Sequence, residues 1–147
     1  VLYDPTGARQ SVMIDKGERD GVRKGMAVTS EGFLIGRVTE TGQETSRITL
    51  LTDPSSAIPI FIQNSTATGI MKGQIGYGLL LEKVPQGDVL KQGQTVVSSG
   101  LGSDYPKGII IGKVDKIEKS DNAIFQEASV RPEVNFRMLE RVLVILK

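Results

Sequence analysis

Two stretches decide the fold: Gly32-Phe33-Leu34-Ile35-Gly36-Arg37-Val38 and Gly108-Ile109-Ile110-Ile111-Gly112-Lys113-Val114. Each places a glycine in a β-branched strand, three residues after an apolar triplet begins. Upstream of each lies a second matched pair, Gly25-Met26-Ala27-Val28-Thr29-Ser30-Glu31-Gly32 and Gly93-Gln94-Thr95-Val96-Val97-Ser98-Ser99-Gly100. The upstream pair is offset by 68 residues and the glycine strands by 76, so the second copy carries eight extra residues, Leu101 to Gly108. A weaker third match sets Asp53-Pro54 against Arg131-Pro132. Repeats shorter than ~50 residues mark solenoids or propellers; a longer pair marks two copies of one small domain.

Composition agrees with short strands. Ile and Val number 14 each against 12 Leu, Trp is absent, and seventeen glycines supply turns and bends. A repeat of roughly 70 residues is near the lower limit for an independent core, so the halves are expected to pack on each other. Strands are read at 9–14, 26–30, 33–39, 47–51, 57–62, 68–71, 77–84, 95–98, 109–117, 124–130 and 142–146. Glu31-Gly32 forms a hairpin turn, and Pro59 demotes its strand to an edge or bulge. Pro132, suited to a first helical position, and Glu133 predict one short helix to about Glu140. The expected fold is all-β: two tandem small β-barrels, residues 1–76 and 77–147, with residues 1–8 free to pack on the second. Gly32, Gly36, Gly100, Gly102, Gly108 and Gly112 are the expected turn and bend positions.

The same composition narrows the chemistry. A net charge of +1 with interspersed signs gives no basic stripe, and aromatic residues are scarce, so nucleic acid is not an expected partner. Without Cys or His there is no disulfide, thiolate site, His-dependent triad or neutral-pH switch. The longest uncharged stretch, Pro54–Met71, is too polar and proline-broken to span a membrane. The start at Val1 reads as that of an excised fragment, with any anchor upstream.

Several local groups invite chemistry. Two barrels with Ser98-Ser99-Gly100 resemble a chymotrypsin-like protease, but Ser99 lacks a histidine base, leaving only a Ser–Lys dyad; its counterpart in the first copy ends a strand. Gly100-Leu101-Gly102 neither follows the right strand nor opens a helix, as a phosphate loop must. Asp15, Glu18 and Asp20 lack calcium-loop spacing and sit among Lys16, Arg19, Arg23 and Lys24. Asp53 and Arg131, each before a proline, are either ionic partners or turn formers. No cofactor, metal or catalytic residue is assigned. The insertion Leu101–Gly108 is not required by the repeat, and loops added to a scaffold often carry recognition. Tyr105, Pro106 and Lys107 are therefore candidate partner contacts, the alternative being that Tyr105 plugs the open end of the barrel.

The run Ser98-Ser99-Gly100-Leu101-Gly102, Tyr105-Pro106-Lys107-Gly108-Ile109 and Ile111-Gly112-Lys113-Val114 closely resembles the rod shape-determining protein MreC family. Lys16-Gly17, Gly21-Val22, Gly25-Met26, Gly36-Arg37-Val38 and the ending from Val130-Arg131-Pro132 to Leu139–Val144 support it. The resemblance implies the extracytoplasmic part of a single-pass cell-membrane protein whose transmembrane helix and coiled coil precede two β-barrels. It implies a non-enzymatic scaffold of cell-wall elongation that maintains rod shape. Such a scaffold self-associates and binds class B penicillin-binding transpeptidases beside MreD and the MreB system. The rivals are a degenerate Ser–Lys protease and a generic β-barrel binding module for carbohydrate or nucleic acid.

Overall fold

The computed structural model describes residues 1–3, 10–101, 105–118 and 124–146. It is all-β: β1 (Leu2–Tyr3), β2 (Ser11–Ile14), β3 (Ala27–Ser30), β4 (Phe33–Thr41), β5 (Ser46–Leu50), β6 (Ala57–Ile62), β7 (Thr68–Gln74), β8 (Gly78–Pro85), β9 (Thr95–Ser98), β10 (Ile110–Glu118), β11 (Phe125–Pro132) and β12 (Leu143–Val144). A six-stranded sheet runs β1-β2-β5-β4-β3-β12, and a closed barrel runs β10-β11-β8-β7-β6-β9.

The internal repeat survives in three dimensions. β3-β4-β5 and β9-β10-β11 are equivalent antiparallel triplets. Gly36 stands opposite Val28 and Leu50, and Gly112 opposite Val96 and Pro132. Each glycine permits a backbone approach that no other residue allows. A Cβ on Gly36 would lie 2.2 Å from the Thr49 carbonyl oxygen, and one on Gly112 would lie 2.3 Å from that of Arg131. Register shifts follow at the same place, after Val38 in β4 and after Val114 in β10, and extra residues of this kind bend a strand. The turns preceding the triplets repeat as well: Gly25 N–H donates to Val38 O at 2.9 Å, and Gly93 N–H to Val114 O at 2.8 Å.

Three expectations are corrected. Residues 76 and 77 do not separate the two sheets; that point is the turn between β7 and β8, inside the closed barrel. The chain changes sheets between β5 and β6, and β12 returns to pair with β3. Only one of the two sheets closes: β6 and β7 pair with each other in the barrel, whereas β1 and β12, in the corresponding places, are two residues long and stay apart. No helix forms after Pro132, which ends β11; among the described residues the sole helical turn is a 3-10 turn at Glu18–Asp20. Val134, Phe136 and Leu139 are buried, a spacing that no single helix face can bury. Of residues 1–8, Leu2–Tyr3 joins the first sheet beside β2, and 4–8 lie outside the described residues.

The halves share one hydrophobic core. Val28, Leu34, Ile35 and Ile48 of the first sheet and Ile60, Leu81, Ile111 and Val114 of the barrel belong to the same buried cluster. Thr52 and Asp53 cross between the sheets in close contact with Gly73 of β7, where a Cβ would lie 2.2 Å from Asp53 O. The Asp53 carboxylate accepts from Gln10 N–H at 2.8 Å and Ser55 N–H at 3.0 Å, so the turn-forming reading of Asp53 accounts for its place.

Candidate interaction surface

The eight-residue insertion lies between β9 and β10, and its described residues, 101 and 105–108, are held against the barrel. Ser98 Oγ donates to Pro106 O at 2.6 Å and accepts from Ile109 N–H at 3.0 Å. Ser99 is buried, and its Oγ accepts from Leu101 N–H at 3.3 Å, so both hydroxyls hold the loop. Gly100, at φ +74°, packs against Lys107, and Gly108, at φ +93°, returns its N–H to Ser98 O. Gly32, at φ +87°, follows Glu31 at φ 54° in a primed two-residue hairpin turn. Gly102 lies outside the described residues.

Tyr105 is not an exposed tip. It is 6% exposed and belongs to the core cluster, so of the two readings the structure favours the plug. Pro106 is half-buried, and Leu101 and Lys107 are exposed. The first copy has no such insertion, and its Ser30 Oγ donates instead to Arg141 O of the C-terminal segment at 2.9 Å.

That segment carries a polar clasp invisible in the sequence. The Tyr3 hydroxyl donates to Phe136 O at 2.6 Å and accepts from Leu139 N–H at 2.7 Å, joining β1 to residues 133 and 136 positions away. Burial pushes the Tyr3 phenol above its ordinary 10.0, opposed by the Leu139 N–H bond and aided by nearby Tyr77. Arg137 lies 5.2 Å from the centre of the Tyr77 ring and donates to Gly76 O. Tyr3→Phe, which removes both bonds, is expected to cost about 1–2 kcal/mol in chemical denaturation. Because the folded protein favours the neutral phenol, this contribution is full below pH 10 and declines as the pH rises above the ordinary tyrosine value. The parent should therefore lose stability there more steeply than Tyr3→Phe.

Elsewhere polar groups serve turns and surface pairs. Asp20 accepts from Gly17 N–H at 3.0 Å, and Arg19 meets Glu44 at 2.9 Å in solvent. Among the described residues no three His, Cys, Asp or Glu side chains gather where they could hold a metal ion. An open cleft of about 830 Å³ separates β1 and β2 from β12, lined by Leu2, Ile14, Val22, Leu143 and Leu146.

Two β-sheets, one closed and one with open edges beside an apolar cleft, define the class as an all-β module. The chain belongs to the family described as rod shape-determining protein MreC, barrel core, whose model matches residues 1–146. It is 38% identical to the cell shape-determining protein MreC of Listeria monocytogenes over 99% of this chain and 51% of that protein. The crystal structure of MreC from Pseudomonas aeruginosa superposes with a TM-score of 0.94 at 31% identity, covering 99% of this chain and 95% of that one. MreC in a Helicobacter pylori complex with Penicillin-Binding Protein (PBP2) shares the fold, with a TM-score of 0.77 at 17% identity, over 97% of this chain and 90% of that one. The chain spans about half the length of the Listeria relative.

Proposed function

We propose that this chain is a non-enzymatic scaffold module of the cell-wall elongation machinery, on the extracytoplasmic side of the cell membrane, that binds a class B penicillin-binding transpeptidase and further copies of itself. The observation that carries the reading is similarity to a cell shape-determining MreC along 99% of the chain. Two further observations support it: a chain of the same fold is found in complex with PBP2, and another is described as the major periplasmic domain of a cell shape-determining filament. Within the fold, Ser99 is occupied in holding a turn, which favours a scaffold over a Ser–Lys protease. Among the described residues no helix is long and apolar enough to cross a membrane.

The exposed part of the insertion, Leu101 with Lys107, is the proposed edge of the transpeptidase contact, in place of Tyr105. The cellular test exchanges this chain for the matching region of the Listeria MreC in cells depleted of their own copy. Rods with the chimera, and round cells with an empty vector, are expected. Round cells despite a folded and correctly located chimera would refute the reading.

A further inference from the structure

The first sheet has as many strands as the barrel but does not close. In the closed barrel β9 is flanked by β6 and β8 by β7, and β6 and β7 bond to each other from Ala57↔Lys72 to Phe61↔Thr68. The repeat places β12 beside β3 and β1 beside β2 in the same way, yet β12 pairs only at Leu143↔Thr29 and Val144↔Val28, and β1 only at Leu2↔Met13 and Tyr3↔Val12. The cleft between them lies where β6 and β7 bond to each other in the second copy.

Among the described residues ten large apolar side chains are exposed, and four of them, Val1, Leu2, Leu143 and Leu146, line this one cleft. Such a concentration beside open strand edges marks an interaction surface. Its rim carries both signs, with Asp15, Asp20 and Glu140 against Lys16 and Arg141. A surface of mixed sign does not select a polyanion or an anionic membrane. It is complementary to itself when a two-fold axis sets Lys16 and Arg141 of each copy opposite acids of the other.

We propose that this seam is where two copies of the chain join, strand edge to strand edge, with the apolar side chains of each covering the cleft of the other. The proposal deepens the self-association part of the scaffold reading and rests on it. Leu2 and Leu143 are 72% and 69% exposed, so Leu2→Glu and Leu143→Glu should fold as the parent does, which circular dichroism checks. In sedimentation velocity over a concentration series, the parent is expected to dimerise and both variants to weaken dimerisation at least tenfold. Ile75→Glu, exposed at 90% outside the cleft, should leave it unchanged. The chain has no cysteine, so Leu143→Cys gives a second readout: its labelling by a thiol reagent should slow at least tenfold where the dimer forms. A parent that stays monomeric, or seam variants that associate like the parent, would overturn the proposal. So would protection of Leu143→Cys in a longer form of the protein that sediments as a monomer, because a segment of the same chain would then fill the seam. Transpeptidase binding is measured on the same variants: its loss in the parent refutes the wider scaffold reading without touching the seam, and its retention in a dimer-deficient Leu143→Glu supports the seam.

Discussion

Gly112→Val is expected to lower the unfolding free energy by about 3 kcal/mol, the upper end of what overpacking costs. Val96 and Pro132 flank Gly112 on the neighbouring strands, and the first atom added would stand 2.3 Å from Arg131 O and 3.0 Å from the Arg131 carbonyl carbon and Pro132 Cα. These are backbone atoms held by the β10–β11 ladder, so relief requires separating two strands of a closed barrel. Gly112→Ala carries the same Cβ and should share most of the loss, which distinguishes steric contact from the bulk of valine. Gly36→Ala should behave alike, since its Cβ would meet Thr49 O at 2.2 Å. Urea unfolding of the four proteins decides the matter, and a Gly112→Ala midpoint equal to the parent's would contradict the close approach.

Tyr105→Ala is the second large effect. Truncating a buried aromatic costs about 3–5 kcal/mol when the site cannot collapse, and Tyr105, at 6% exposure, lies with the barrel core. A loss near 3 kcal/mol is expected, corresponding to about 9 °C in melting temperature for a chain of this size. Tyr105→Phe, which keeps the ring, should retain most of the stability. A Tyr105→Ala protein that melts with the parent but binds transpeptidase less tightly would restore the exposed-anchor reading.

The repeat was legible because it is written in local chemistry. Gly25 and Gly93, and Gly36 and Gly112, recur in sequence because the same turns and approaches recur in space. What the repeat could not reveal is which strands lie on either side of each triplet. β6 and β7 follow the first triplet in sequence but close the second, a choice made by long-range pairing such as Ile60↔Ser98. Pro59 is expected at an edge or a bulge, yet β6 lies between β7 and β9 and keeps an unbroken register with β7. The ladder to β9 begins at Ile60, so the missing N–H of Pro59 costs no bond there, and its carbonyl accepts from Ser99 N–H at 3.1 Å. The expected helix after Pro132 rested on good local signals. Tertiary contacts override them: Phe136 O and Leu139 N–H bond to Tyr3, 133 and 136 residues distant. Tyr105 carried no local signal to separate a plug from an anchor, since either use suits a Tyr-Pro pair on a glycine-bounded loop.

The central claim, that this chain is a scaffold for a cell-wall transpeptidase, is tested most directly by isothermal titration against the extracytoplasmic domain of the class B penicillin-binding protein from the same organism. Saturable one-site binding in about the micromolar range, weakened by a Leu101→Glu/Lys107→Glu double variant that melts like the parent, is the predicted result. The absence of heat and of co-sedimentation at about 100 µM of both proteins, well above that range, would contradict it.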